Sequence, residues 1–355
     1  MKILLIQYQM LGDVLTSTII ADQLKITYPN SHIDYLVVKH AVALVKEHPS
    51  IDGIVAVNQS DFNTLDGIIS LSRKLKNSSY DLLIDVYGKN NSALLSYLTK
   101  IPKRIGYKKW FSSVAYTIAL KNSPDRSIYK QGISLGSRLL LTQPMVDNVQ
   151  WKLLPKIYLT TAEKDQGKKW LEKSNLDLDR KITMIAVLGS SMEKTLPFEK
   201  MAQLLDYHVE QSGSQILFNY IPSQTGEAYQ IFSLCKTKTQ KSIFIEAFAP
   251  SIREFLSVLS NCDAMVGNEG GAINMAKALA IPTYTIFSPW ITKEVWNAGE
   301  DGKKHISVHL KDFNPELYRK GSNQDRKKIA VSLYEQFKVD DFKKSLNTFI
   351  SENLK

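Results

Sequence analysis

The sequence predicts an α/β protein with two doubly wound, Rossmann-like domains in tandem and a cleft between them. Short apolar runs alternate with longer amphipathic segments, which is the pattern of βαβ units that build parallel sheets. This alternation pauses near Pro155 and then begins again, which indicates two such domains. A length of 355 residues exceeds what one core usually supports and is sufficient for two.

The first predicted domain covers residues 1–160 and contains five apolar runs short enough to be strands. The predicted strands are Ile3–Gln7, Ile33–Val38, Gly53–Val57, Leu82–Asp85 and Arg104–Tyr107. A helix from about Asp13 to Tyr28 ends before Pro29, because a proline disfavours helical backbone in the residue before it. The segment Trp151–Thr161 is predicted to connect the two domains.

The second predicted domain covers residues 161–325, and a charged helical segment at 326–355 follows it. Its predicted strands are Ile182–Leu188, Gln215–Asn219, Ala264–Gly267 and Thr283–Phe287. Its predicted helices are Phe198–Gln211, Gly226–Cys235, one that begins after Ser251, and Ala272–Ala280. Because open α/β sheets bind ligands at the carboxyl ends of their strands, we expect the functional site in the loops that follow these strands.

The composition excludes several classes of protein. No apolar run approaches the roughly 18–20 residues that a membrane-spanning helix requires. The run Ile3–Ile6 is too short for the apolar region of a signal peptide, so it is interpreted as a buried strand. Cys235 and Cys262 lack the spacing of a zinc or redox site and are typical of a reducing compartment, so a cytoplasmic location is expected.

The net charge of +10 is concentrated in the stretch Lys100–Lys130, which carries eight cationic residues against one acidic residue. Such a block indicates an anionic partner, namely nucleic acid, anionic lipid or a phosphorylated substrate. A solvated surface without a partner is the alternative. A nucleic-acid partner is disfavoured, because the sequence has no recognition-helix motif, zinc spacing or RNP-like aromatic run.

Gly12 and Asp13 follow the first predicted strand, in the turn that would bind a pyrophosphate in a dinucleotide-binding fold. That turn requires three spaced glycines and has one here, so a dehydrogenase is disfavoured. Asp13 lies near the start of the next helix, where backbone N–H groups and the helix dipole stabilise a carboxylate. It is predicted to be either a helix cap or a general base that faces the cleft.

The segment Gly189–Thr195 follows a strand of the second domain and ends in a Lys-Thr pair, as a phosphate-binding P-loop does. Glu193, however, stands where the P-loop requires a glycine and would place a negative charge against the phosphates, so a P-loop NTPase is excluded. The hydroxyl groups of Ser190 and Ser191 together with Lys194 can still bind a diphosphate. An ordinary polar turn is the alternative.

A strand, a glycine pair and a small-residue helix succeed one another at Val266–Ala276. The missing side chains of Gly270 and Gly271 let a ligand approach the N–H groups at a helix start, which is a typical anion site. Glu269 would repel a phosphate but could accept hydrogen bonds from sugar hydroxyls. A tight turn capped by an acidic residue is the alternative.

Five short motifs occur in a fixed order along residues 1 to about 300. A strand followed by Gly-Asp-Val lies at Ile3–Val14, and the pattern D-x-x-G, S-A-L, R-I-G lies at Asp85–Gly88, Ser92–Leu94 and Arg104–Gly106. Three further segments, related to K-x-W-P, D-[TS]-G-x-x-H-x-A-A-A-L and P-x-x-x-[LI]-[FY]-G-P, are Lys194–Pro197, Glu269–Leu279 and Pro282–Pro289. In this order the motifs resemble those of glycosyltransferase family 9, the ADP-heptose:lipopolysaccharide heptosyltransferases.

The resemblance implies a GT-B architecture, in which two Rossmann-like domains face each other across a cleft, and it implies that Asp13 is the catalytic base. The residues then expected to bind the donor diphosphate are Ser190, Ser191, Lys194, Gly270 and Gly271, and those expected to bind the donor sugar are Glu269 and Asn274. The residues expected to bind the acceptor are Gly12, Asp85, Lys103, Arg104 and Lys108.

The implied activity is inverting transfer of a sugar, with ADP-heptose as the expected donor, onto a lipopolysaccharide core or a related glycolipid. The expected partners are this nucleotide-diphosphate sugar, an anionic glycolipid acceptor and the cytoplasmic face of the inner membrane, with no cofactor and no metal ion. Trp110 and Phe111 could rest on the bilayer, unless Trp110 is a core residue. An epimerase of the same architecture that processes nucleotide sugars is the alternative activity.

The donor motif of this chain departs from the family pattern at three positions. Glu269 replaces an aspartate, Gly270 replaces a threonine or serine, and Asn274 replaces a histidine. Two further departures are Leu196 in place of a tryptophan and Ser288 in place of a glycine. These changes lengthen an acid and remove a hydroxyl and an imidazole, so we expect a remodelled donor pocket.

Overall fold

The computed structural model describes residues 1–110, 112, 114–121 and 132–355. The chain divides into two compact units, Met1–Tyr158 and Leu159–Lys355, and the division lies inside the segment predicted to connect two domains. Phe111, Arg126 and Lys130, which belong to the predicted basic block and bilayer contact, lie outside the described residues.

The first unit is built on a six-stranded parallel sheet. Its strands are β1 (Lys2–Ile6), β2 (His32–Val38), β3 (Gly53–Val57), β4 (Leu82–Asp85), β5 (Lys103–Tyr107) and β6 (Ile118–Leu120). Their order is β3-β2-β1-β4-β5-β6, and every pairing is parallel. The direction of winding reverses between β1 and β4, so the loops after these two strands diverge and leave a crevice at this point.

Helices connect the strands of this sheet, and the predicted elements are found within one or two residues. They are α1 (Leu11–Thr27), α2 (Val42–Val45), α3 (Gln59–Asn63), α4 (Leu65–Lys76), α5 (Asn90–Thr99) and α6 (Ile133–Leu140). The apolar run Ile3–Ile6 is fully buried, as the interpretation of a central strand requires. The alternative of a plain helix cap at Asp13 is wrong, because α1 begins at Leu11, after Met10.

The second unit is built on a five-stranded parallel sheet. Its strands are β7 (Ile182–Ala186), β8 (Gln215–Asn219), β9 (Ala264–Asn268), β10 (Thr283–Ile286) and β11 (His305–Val308). Their order is β11-β10-β9-β7-β8, with all pairings parallel. The winding reverses between β7 and β9, so the crevice of this sheet lies at their carboxyl ends.

Eleven labelled helices surround this sheet in the described part of the second unit. They are α7 (Thr161–Lys173), α8 (Phe198–Ser212), α9 (Thr225–Leu234), α10 (Thr237–Gln240), α11 (Ile252–Leu259), α12 (Gly271–Ala278), α13 (Lys293–Trp296), α14 (Leu310–Phe313), α15 (Asn323–Lys328), α16 (Ala330–Glu335) and α17 (Val339–Asn353). As predicted, Ser251 caps α11, since its hydroxyl accepts the N–H of Glu254 at 3.2 Å.

Gly267 allows β9 to approach β7 closely. Its φ is +131°, and a Cβ at this position would lie 2.4 Å from the carbonyl oxygen of Ala186. Any larger residue would push the ends of the two strands apart. The spacing of the loops that leave β7 and β9 therefore depends on this glycine.

The C-terminal helices pack on the second unit. The hydroxyl of Tyr284 on β10 donates to the carbonyl of Phe342 at 3.2 Å and bonds to Ser345 Oγ at 2.7 Å, both on α17. Lys200 Nζ on α8 donates to the carbonyls of Tyr334 and Glu335 at 2.6 and 2.8 Å. The charged segment predicted at 326–355 is therefore part of the structure around the second sheet.

An ion pair joins α7 to α11 at the start of the second unit. Arg253 donates through Nε and Nη2 to the two carboxylate oxygens of Glu163, at 2.6 and 2.8 Å. This two-point contact lowers the pKa of Glu163 from 4.5 to about 2, with the N–H of Thr160 as a further donor. Because the folded-state pKa is the lower one, the stabilisation is present above pH 4.5 and is lost as the pH falls towards 2.

We predict that Glu163→Gln lowers the free energy of unfolding by about 1 kcal/mol at pH 7, as expected for an ion pair near the surface. The difference from the wild type should shrink as the pH falls from 4.5 to 2, and urea unfolding at several pH values measures it. Glu172→Gln, at an exposed position of the same helix, is the matched control. A difference that does not change with pH would contradict this account.

Candidate active site

The first unit contains a cavity of about 390 Å³ at the reversal point of its sheet. Its lining comes from the loop after β1, the loop after β4, the first turn of α1 and one residue of α6. The lining residues are Gln7, Gln9, Met10, Asp13, Val86, Tyr87, Lys89 and Arg138. The cavity thus lies where the strand order predicts a ligand site.

Asp13 is the third residue of α1 and contributes a carboxylate to the cavity wall. Its side chain is 28% exposed, and Oδ1 lies 2.5 Å from Nη2 of Arg138. The first turn of α1 also directs unpaired N–H groups towards this end of the helix, which favours a negative charge there. The structure therefore places the predicted base on the wall of a cavity, with one of its oxygens held by Arg138.

Arg138 is a cavity residue that the sequence analysis missed. It is buried on α6, where Nη1 donates to the carbonyl and hydroxyl oxygens of Ser134 at 2.8 and 2.6 Å. Nε donates to Ser17 Oγ at 3.0 Å. The available signal was a cation in the middle of the largely apolar segment Ile133–Leu140, since such a helix face is buried and a buried cation needs a partner.

Asp85, expected to bind the acceptor, has a structural role instead. It is fully buried, with one oxygen accepting the N–H of Gly88 at 2.9 Å and the other accepting the hydroxyl of Tyr116 at 2.7 Å. Burial raises the pKa of this carboxyl, while these bonds and Lys109 oppose the rise. The ring of Tyr116 passes over Gly106, where a Cβ would lie 2.4 Å from it. Asp85 thus holds the loop after β4 in place.

The other four expected acceptor residues do not line the described cavity wall. Lys103 donates to the carbonyl of Pro144 at 3.4 Å, and Arg104 donates to the carbonyls of Ala115 and Ile101 at 2.9 and 2.5 Å. Lys108 is exposed. Gly12 precedes Asp13 and accepts the hydroxyl of Thr16 at 2.8 Å.

Three aromatic rings pack against one another beside the cavity. Tyr8 stacks on Phe62 with ring centroids 4.2 Å apart, and Tyr87 contacts both rings edge-on at 5.8 and 6.1 Å. Tyr87 also lines the cavity. The cavity therefore combines an aromatic surface, a carboxylate and the cations Lys89 and Arg138, a set that can bind a polar ring compound carrying a negative charge.

In the second unit, the loop Gly189–Thr195 is wound tightly after β7. Thr195 Oγ1 accepts the N–H of Gly189 at 3.0 Å and donates to the carbonyl of Ser191 at 2.8 Å. A Cβ at Gly189 would lie 2.3 Å from the carbonyl oxygen of Lys194. The exposed hydroxyl groups of Ser190 and Ser191 are carried on this closed turn.

Lys194 and Glu269 bring the loops after β7 and β9 together. Lys194 Nζ lies 3.2 Å from Oε1 of Glu269, whose side chain is 10% exposed. The alternative of Glu269 as a helix cap is wrong, because Gly270 occupies that position and no side chain caps α12. Two residues predicted to bind different parts of a donor are therefore in contact.

Open space lies beside the glycine pair at the start of α12. A Cβ at Gly270 would meet nothing within 4 Å, and one at Gly271 would meet Met275 Cε at 3.7 Å. Asn274, one turn further on, is half-buried, and its backbone N–H donates to the carbonyl of Gly270 at 3.2 Å. The N–H groups of the first turn of α12 are therefore accessible to an anion.

Trp290 and two lysines lie next to this loop pair. Lys194 Nζ and Lys327 Nζ are 5.7 and 5.2 Å from the centroid of the Trp290 ring. Ser288, which departs from the family pattern, donates to the carbonyl of Glu193 at 2.5 Å and so fixes the loop that carries Lys194. The donor-side candidates thus form one charged, glycine-lined edge of the second sheet.

The described residues show no group of three or more histidine, cysteine, aspartate or glutamate side chains that could hold a metal ion. None of the described helices combines the length and the apolarity that crossing a membrane requires.

The sequence profile described as glycosyltransferase family 9 (heptosyltransferase) matches residues 68–321, which is more than half of the chain. The chain belongs to glycosyltransferase family 9. It is therefore a glycosyltransferase, as the order of its motifs predicted. The matched range contains the candidate donor-side loops and Arg138 but not Asp13.

Relatives and solved structures agree with this membership. Lipopolysaccharide heptosyltransferase 1 of Campylobacter coli is 23% identical over 296 residues, which cover 81% of this chain and 84% of the relative. A family 9 glycosyltransferase structure from Veillonella parvula has a TM-score of 0.75 at 16% identity, over 94% of this chain and 97% of its own. The E. coli heptosyltransferase WaaC, solved with ADP, has a TM-score of 0.67 at 14% identity, over 97% and 98%. The predicted fold class, two Rossmann-like α/β domains with parallel sheets, is confirmed.

Proposed function

We propose that this glycosyltransferase moves a heptose from ADP-heptose to a hydroxyl group of an anionic glycolipid of the lipopolysaccharide core type. The observation that carries the proposal is the Asp13 carboxylate, fixed by Arg138 on the wall of a cavity at the reversal point of the first sheet. The lipopolysaccharide heptosyltransferase of Campylobacter coli and the ADP bound to the E. coli WaaC structure support this donor and acceptor class.

In the proposed reaction, Asp13 takes the proton of the acceptor hydroxyl while the oxygen of that hydroxyl attacks the anomeric carbon of the donor. The new C–O bond forms on the face opposite the diphosphate, the bond to the diphosphate breaks, and the configuration is therefore inverted. The transition state is oxocarbenium-like, as in the hydrolysis of glycosides. A positioned base of this kind contributes about 10²–10⁴-fold to the rate.

The diphosphate gains negative charge as it leaves, and the charged edge of the second sheet would stabilise it. Lys194, the hydroxyl groups of Ser190 and Ser191 and the N–H groups after Gly271 supply donors for this purpose. Donor binding would separate Lys194 from Glu269, so that Lys194 pairs with phosphate and Glu269 accepts from a sugar hydroxyl. Because these groups supply the positive charge, we propose transfer without a divalent metal ion, so that EDTA should not reduce turnover.

We predict that Lys194→Met weakens ADP binding about 10–100-fold, since hydrogen bonds to charged groups contribute about 1.5–3 kcal/mol. Adenosine, which lacks the phosphates, should bind equally to both proteins in a calorimetric or thermal-shift titration. Lys238→Met, at an exposed position of the same unit, is the matched control. Parallel titrations with GDP and UDP test which nucleobase the donor carries. Equal binding of ADP to the wild type and Lys194→Met would contradict the proposed diphosphate site.

The variant Lys194→Met also leaves Glu269 without its cation, and the unpaired carboxylate would itself repel a phosphate. The double variant Lys194→Met/Glu269→Gln removes this second effect. Affinity for ADP should recover in part in the double variant, and the remaining loss measures the direct contribution of Lys194.

We predict that Asp13→Asn lowers kcat for sugar transfer by about 10²–10⁴-fold, because the amide keeps the shape of the side chain but cannot accept the proton. The amide oxygen still offers Arg138 an acceptor, so folding and ADP affinity should be retained. Asp66→Asn, an exposed aspartate in the first turn of α4, is the matched control. Turnover of Asp13→Asn within about tenfold of the wild type would rule out this base, and sugar conversion without an acceptor would indicate an epimerase.

The basic block supports a contact with an anionic membrane surface. Trp110 is 93% exposed, so the alternative of a core tryptophan is wrong. Lys108 beside it is exposed too, and Val114 is 78% exposed. We propose that this surface rests on the cytoplasmic face of the inner membrane, where it would meet an acceptor anchored in lipid.

We predict that the protein floats with vesicles containing anionic phosphatidylglycerol and that flotation decreases as salt rises, because screening weakens attraction between exposed charges. The double variant Lys108→Glu/Trp110→Ser should float less, whereas Lys238→Glu in the second unit should behave like the wild type. Flotation that is absent, or that neither salt nor the double variant reduces, would contradict the membrane contact.

A further inference from the structure

Three hydrogen bonds that do not involve the Asp13 side chain orient the guanidinium group of Arg138. Nη1 is held by both oxygens of Ser134 on its own helix, and Nε is held by Ser17 Oγ on α1. Ser17 Oγ in turn lies 2.7 Å from the backbone carbonyl of Asp13, to which it donates. These contacts leave Nη2 directed at Asp13 Oδ1, so the orientation of the fork does not depend on Asp13 itself.

The burial of Arg138 also favours its ion pair with Asp13. Arg138 is 8% exposed, and a buried guanidinium without a counter-charge is costly. Among the ion pairs of the described residues, Arg138 has one carboxylate within 4 Å, that of Asp13. The pair uses Oδ1, while the side chain keeps 28% exposure on the cavity wall. The second oxygen, Oδ2, is therefore the one available to a ligand.

We propose that Arg138 is the positioning residue that fixes the rotamer of Asp13 and directs Oδ2 into the acceptor cavity, an inference that rests on the proposed function. An unrestrained aspartate at a helix start samples several rotamers, and most of them would not reach the proton of a bound hydroxyl. A displacement of about 1 Å can cost about 10²-fold in rate. Arginine suits this task better than lysine, because its planar fork binds Ser17, Ser134 and Asp13 at the same time.

The first test compares Arg138→Met and Arg138→Lys with the wild type in steady-state transfer. We expect kcat of Arg138→Met to fall about 10²-fold, with KM for the donor unchanged within about threefold. Arg138→Lys should be intermediate, since an ammonium keeps the charge but not the three-way contact. Arg73→Met, at an exposed position of α4, should match the wild type. An unchanged kcat, or an equal loss of donor binding, would overturn the proposal.

The second test asks whether Arg138 acts through Asp13. In an Asp13→Asn background, Arg138→Met should lower kcat by no more than about threefold, because the oriented base is already absent. In the variant Arg138→Ala, added guanidinium chloride at millimolar concentration should restore part of kcat, and sodium chloride should not. A full further loss in the Asp13→Asn background would show that Arg138 acts by another route.

Failure of the proposed function is distinguishable from failure of this inference. If the wild type transfers no sugar from any nucleotide-diphosphate donor tested, the proposed function fails. The thermal unfolding midpoints of Asp13→Asn, Arg138→Met and the double variant then still measure the pairing. Coupled shifts would support a carboxylate fixed by Arg138, and additive shifts would overturn it.

Discussion

Each sheet has a point where neighbouring strands send their connections in opposite directions, and both sets of candidate residues depend on it. At β1 and β4 the diverging loops open the cavity that Asp13 lines. At β7 and β9 they carry Lys194 and Glu269, with Gly267 allowing the two strand ends to approach. Helices cover both faces of such a parallel sheet, so a ligand most readily meets its backbone and side chains at the carboxyl ends of the strands, beside the reversal point.

The buried carboxyl group of Asp85 holds the loop after β4 in place. Asp85 bonds to Gly88 and Tyr116, and Tyr116 can reach it because Gly106 has no side chain. A carboxyl group this deep would be expensive if its bonds were removed, so the loop after β4 has one stable position. Since Val86 and Tyr87 on this loop line the cavity, Asp85 contributes to the shape of the cavity without lining it.

Local sequence patterns predicted most of the strands and pointed to Asp13 as a candidate, but they did not predict the side chains that contact Asp13 and Asp85 in the fold. Arg138 lies 125 residues after Asp13, and no spacing rule connects the two. The burial of Asp85 depends on packing between β5 and Tyr116, which a motif does not reveal. The strands β6 and β11 at the sheet edges were missed, and β6 has only three residues from which to detect a pattern. The C-terminal segment, predicted to be helical, contains three helices, with interruptions at Ile329 and around the buried Phe337.

Two departures from the family motif, Glu269 and Gly270, both change the proposed donor side of the second unit. A glutamate at 269 is one methylene longer than the aspartate it replaces, and it reaches Lys194 at 3.2 Å. Glycine at 270 leaves the space above α12 open where a hydroxyl would otherwise stand. In the proposed reaction, a donor diphosphate would compete with Glu269 for Lys194, so part of the phosphate's electrostatic attraction would be used to open this ion pair. A sugar hydroxyl bound to the released carboxylate would offset that cost, so that the donor sugar and the diphosphate would be recognised together.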